Sequence, residues 1–144
     1  MNHRADPVSS SRTLRAALAL SLALGAGAAL AVPPLPLSGA QETPPVTTTA
    51  AGSSTIVINA DKSVSGSVTT AGIAGTAAHI HVGALGQSGP PIVILAKTAD
   101  NVWSVPAGTT LTDEQYASYK AGSLYVNVHS ADHKSGEIRA QLKP

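Results

Sequence analysis

Three short runs late in the chain, AAHIHV at 77–82, LYVNVH at 124–129 and GEIRAQL at 136–142, alternate apolar and polar side chains with a period of two. Successive side chains of a strand leave opposite faces, so this period commits each run to a β-strand with one apolar and one polar face. Ala78, Ile80 and Val82 form the apolar stripe of the first run, Leu124, Val126 and Val128 that of the second, and Ile138, Ala140 and Leu142 that of the third. The other stripe collects His79 and His81, then Tyr125, Asn127 and His129, then Glu137, Arg139 and Gln141. The last two runs are separated only by SADHKS and predict a C-terminal hairpin.

Upstream, GSSTIVIN at 52–59, SVSGSVTT at 63–70, IVIL at 92–95 and VWSV at 102–105 are further short β-rich runs, separated by turn residues. Ala60, Asp61 and Lys62 make a tight connection, and GALGQSGPP at 83–91 makes a longer Gly and Pro loop. Spacing and composition predict an all-β fold, an antiparallel β-sandwich or barrel. One helix signal interrupts it, near 112–121: Thr112 as N-cap, Gln115 three residues on to complete a capping box, Asp113 and Glu114 in the first turn, and Gly122 as the stop. Phe is absent and the aromatics are Trp103, Tyr116, Tyr119 and Tyr125, so the core must be built from Val, Ile, Leu and Ala.

The N-terminus reads differently. Arg4, Arg12 and Arg15 precede the apolar run AALALSLALGAGAAL, which ends in Ala29, Leu30 and Ala31. A basic stretch, an apolar stretch and small residues at the cut predict a signal peptide over 1–31 and a secreted or periplasmic product. Fifteen residues at about 1.5 Å of rise fall short of the ~30 Å hydrocarbon core, so no membrane association is expected after cleavage. Removing 31 of 144 residues leaves 113, enough for one domain. Residues 32–50 read as a flexible or edge-strand lead-in, with Gln41 and Glu42 on a solvated rim, and the domain proper as 35–142. The chain after residue 31 carries six bases and seven acids, so the charge gives no argument for a nucleic-acid partner. An exported domain of this size often relies on disulfides, yet there is no cysteine; packing, hydrogen bonds and a metal are the remaining means.

Four of the five histidines, His79, His81, His129 and His133, fall in two short segments. Histidines two apart on a strand lie about 6.6 Å apart at Cα and can turn toward one ion. His129 on a neighbouring strand is the natural third ligand, and His133 or a water the fourth. Imidazoles without thiolates suit a copper or zinc ion. Arg139, the single arginine after residue 31, with Asn127 and Tyr125 beside it, is a candidate for steering an anion or supporting the ligands. Asp113 and Glu114 are explained by the helix dipole, no G-x-S-x-G elbow is present, and GALGQSGPP runs into prolines instead of opening a helix, so neither hydrolase chemistry nor an organic cofactor is expected.

The blocks AHIHVGALGQSGPPIVIL and GSLYVNVHSADHKSGEIRAQL, with the opening LSGAQETPPVTTTAAGSSTIVIN, resemble the CHRD domain, a module named from chordin and found in bacterial exported proteins. The resemblance spans Leu35 to Leu142 and implies an extracellular β-sandwich or barrel without implying a reaction. It departs at His133 and Lys134, where members often carry Asn and Pro or Gly. A looser similarity, confined to the His-x-His strand, is to Cu,Zn superoxide dismutases. Three functions are therefore weighed: an exported copper- or zinc-binding module, a copper-dependent redox enzyme, and a cell-surface domain that binds an extracellular or envelope protein.

Overall fold

The computed structural model describes residues 1–2 and 33–144, so the expected signal peptide lies outside the described residues. Among the described residues, eleven strands, one α-helix and a 3-10 turn at Gly39–Gln41 follow in order, the strands and α-helix being β1 (Leu35–Ser38), β2 (Ala51–Ser54), β3 (Val57–Ile58), β4 (Val64–Ser65), β5 (Ser67–Ala71), β6 (Gly75–Val82), β7 (Pro91–Ile94), β8 (Ala96–Ala99), β9 (Val102–Ser104), α1 (Asp113–Lys120), β10 (Leu124–Ser130) and β11 (Ile138–Gln141). Nine of them form one antiparallel sheet in the order β7-β6-β10-β11-β1-β2-β5-β9-β8, and β3 pairs with β4 as a separate hairpin. The two edge strands, β7 and β8, are consecutive and joined through Leu95 alone. One segment thus runs from one edge of the sheet to the other, giving a nearly closed barrel.

The apolar stripes read from the sequence line the interior. Val68, Ala78, Ile80, Leu124, Val126, Val128, Ile138 and Ala140 are fully buried, and Trp103 packs with them. Removing one of these large aliphatic side chains costs about 2–5 kcal/mol through lost transfer energy and the cavity left behind. The helix forms where its caps predict: the Thr112 hydroxyl accepts from the Gln115 amide and the Gln115 side chain accepts from the Thr112 amide.

Other expectations need correction. The run 52–59 divides into β2 and β3, and 63–70 divides into β4 and β5 at Gly66, whose φ of 108° and close approach to the Thr55 carbonyl exclude a side chain. Strand β1 is not an edge, because it lies between β11 and β2. Its ladder to β11 has a single registered pair, Ser38 with Arg139, so the missing amide of Pro36 removes little from it. Glu42 is not on a solvated rim but is buried under the sheet's polar face.

Candidate metal centre

Strand β10 sits between β6 and β11, which brings the three alternating runs side by side. The register sets His79 opposite Asn127 and His81 opposite Tyr125, and on the other flank Arg139 opposite Asn127 and Gln141 opposite Tyr125. His129 is opposite Ala77, diagonal to His79. All these side chains project from the barrel wall away from the apolar interior, as the alternation requires.

That outer face is not open to water. All seven residues of β10 are buried, and Asn127 and Arg139 are each only 1 % exposed. The loop 83–90, the segment 39–46 and the turn 131–137 cover it. Arg139 fastens the first: Nη1 donates to the Gln87 carbonyl at 2.8 Å and to Thr43 Oγ1 at 3.4 Å, and Nη2 to the Ala84 carbonyl at 3.1 Å and Gln141 Oε1 at 2.9 Å. Its guanidinium lies 3.5 Å from the centroid of the Tyr125 ring, whose other partner is the His81 imidazole, stacked at 4.8 Å and 6°. Buried, and with both terminal nitrogens committed to the protein, Arg139 clamps the loop.

The histidines converge. His79, His81 and His129 each present a ring nitrogen, and these atoms lie within 4.8 Å of one another. His79 Nδ1 is 3.0 Å from His129 Nε2. The opposite nitrogens of two rings are held by backbone carbonyls: His129 Nδ1 donates to Lys134 at 2.9 Å and His81 Nδ1 to Gly89 at 2.8 Å. A carbonyl can only accept, so the proton of each neutral ring is on Nδ1 and the lone pair on Nε2 faces the cluster. His79 Nδ1–H then donates to His129 Nε2, whereas His81 Nε2 is buried without a partner. Carbonyl-fixed imidazoles with inward lone pairs are what a metal ligand set requires of its supporting shell.

Burial, followed by the neighbouring His129 and His81, holds the His79 pKa below the ordinary imidazole value. Burial does the same to His81, and outweighs the opposing hydrogen bond to Gly89. Both rings are therefore neutral at neutral pH, the ligating form. His133 is not among the converging nitrogens. Its backbone closes the 131–136 turn: its amide donates to Ser130 Oγ and its carbonyl accepts from the Gly136 amide.

Two participants carried no signal of their role in the sequence. Glu42 lies against Asn127 and Arg139, and burial pushes its carboxyl pKa up, outweighing the neighbouring Asn127 amide and the charge of Arg139. Gly136, with φ of 128°, leaves room for them: a Cβ there would collide with Asn127 Nδ2 and Glu42 Oε1. Both lie outside the strands: Glu42 precedes Thr43 and Pro44, and Gly136, read as the start of the alternating run 136–142, precedes β11, which begins at Ile138.

No curated protein and no solved structure gives a significant match to the chain. The family model of the CHRD domain matches residues 34–142, which takes in every strand, the helix and the three converging histidines. The chain belongs to the CHRD domain family.

Proposed function

We propose that this protein is an exported metal-binding module, holding one copper or zinc ion through His79, His81 and His129. The observation that carries the reading is the unpartnered, buried Nε2 of His81, aimed into a group of three ring nitrogens within 4.8 Å while the same ring's Nδ1 is held by Gly89. A buried acceptor without a donor costs about 1–3 kcal/mol. Bound to an ion, it is satisfied. Nitrogens about 2.0–2.1 Å from a tetrahedral zinc lie roughly 3.3 Å apart, so the rings close on one by small rotations, with the His79 proton moving from Nδ1 to Nε2 to free the inward lone pair. The donor set is neutral and holds no thiolate, which suits Zn(II) or Cu(II) more than Cu(I). Export is supported by the basic and apolar order of residues 1–31.

Calorimetric titration of the protein with zinc and with copper at neutral pH tests the reading. One ion per chain is expected, with the affinity of His81→Ala reduced at least a hundredfold. Absence of binding by the wild type, or equal binding by that variant, would remove it.

Partial exposure of His79, beside the buried His81 and His129, favours a second reading, a redox catalyst whose ion is reached from solvent on that side. Copper-loaded protein that dismutes superoxide no faster than its buffer would exclude that activity.

A further inference from the structure

Among the described residues, five buried side-chain polar atoms lack a hydrogen-bond partner, and four of them, Glu42 Oε1, His81 Nε2, Asn127 Oδ1 and Arg139 Nε, lie on the covered polar face. Asn127 is central among them. It is directly opposite His79 across the β6–β10 ladder, diagonal to His81, and two residues from His129 on the same face of β10. In the ladder, that position neighbours all three histidines.

The orientation of its amide follows from its neighbours. Nδ2 is 3.4 Å from the Ser135 carbonyl, and it crowds the same point above Gly136 as the Glu42 carboxylate. Both neighbours are acceptors, so the NH₂ belongs on that side and Oδ1 on the other. That side is the β6 flank, where His79 stands directly opposite, and Oδ1 finds no donor there, at a residue 1 % exposed. Two buried acceptors, Asn127 Oδ1 and His81 Nε2, thus share one space, an arrangement that a cation relieves and a neutral donor-free interior does not.

We propose that Asn127 Oδ1 is a fourth protein donor to the ion held by His79, His81 and His129, making the centre a three-nitrogen, one-oxygen site. The assignment rests on the three-histidine reading and adds to it a residue type outside the usual His, Cys, Asp and Glu donors. An amide oxygen is a hard, neutral donor, so it biases the site further toward divalent zinc or copper and leaves the ion's two positive charges uncompensated by its ligands.

The experiment compares wild type, Asn127→Leu and Asn127→Asp for Cu(II) and Zn(II) affinity and for the Cu(II) paramagnetic resonance spectrum. Leu has similar bulk and no donor; Asp keeps the oxygen. Asn127→Leu is expected to bind at least tenfold more weakly with an altered spectrum, and Asn127→Asp to bind as tightly as wild type or more so. A measurement on the unmodified protein stands beside these: the side-chain amide resonances of Asn127 should shift on adding one equivalent of Zn(II). Wild-type binding of one ion, with undiminished affinity and an unchanged spectrum for Asn127→Leu and unmoved amide resonances, would overturn the assignment while leaving the three histidines in place. Wild type that binds nothing would overturn both.

Discussion

On one side of the barrel Arg139 lies 3.5 Å from the centroid of the Tyr125 ring; on the other, Lys97 lies 5.7 Å over Trp103. The pairs are chemically alike and their surroundings are opposite. Arg139 and Tyr125 belong to β11 and β10, whose outward side chains are covered by loops, whereas Lys97 belongs to β8, all four of whose residues are exposed. Around β10 the barrel wall therefore has protein on both sides. Every polar group there needs a partner within the protein, and the few without one mark where a ligand belongs. Around β8 water supplies partners to exposed side chains such as Lys97, while Trp103 beneath it is buried in the apolar core with its Nε1 unpartnered.

The largest effect is expected from removing the clamp. Arg139→Ala takes away the donors to Ala84, Gln87, Thr43 and Gln141 together with the cation over Tyr125, and should cost about 3 kcal/mol or more in urea unfolding, from the acceptors left buried. Next come the glycines. Gly136→Ala drives a Cβ into Asn127 and Glu42 at a positive φ and should cost about 2–3 kcal/mol, whereas Gly108→Ala, also at positive φ but with open space around it, should cost about 1 kcal/mol. Equal values for the two would show that the covered face is looser than described.

The two regions should also differ in acid. With the pKa values of His79 and His81 held below 6.5 in the folded protein, the unfolded chain binds more protons as pH falls, so their contribution is complete above about pH 6.5 and is lost as pH drops through the folded-state values. Glu42 acts in the opposite sense: its raised pKa gives a contribution present below 4.5 and lost as pH rises through its folded-state value. In a Glu42→Gln background, the urea midpoint of the metal-free protein should fall between pH 7.5 and 5.5, and fall less when His81 is also changed to Gln. The smallest effect is expected on the exposed side, where Lys97→Ala should change stability by no more than about 0.5 kcal/mol in the same assay.

Period-two alternation made the site-bearing strands legible, because the register of a sheet with one apolar face allows no slip of a single residue. The pairing of β6 with β10 then placed His129 near the His-x-His pair, and the capping box at Thr112 needed only local chemistry. Alternation states which face a side chain takes, not what covers it. The burial of Asn127 and Arg139 depends on the loop 83–90, the segment 39–46 and the turn 131–137, which have no period to read. The roles of Glu42 and Gly136 were invisible for the same reason, and the proximity of His133 to His129 in sequence takes no account of the turn between them. Strand β8, AKTA, has neither alternating apolar residues nor turn signals; it follows the buried Leu95 and pairs with β9.

The most direct measurement is the paramagnetic resonance spectrum of the protein with one equivalent of Cu(II), resolved well enough to count coupled nitrogens. Three imidazole nitrogens are expected, falling to two in His79→Ala. A spectrum of unbound copper, or one unchanged by that substitution, would contradict the assignment of the three histidines as a metal centre.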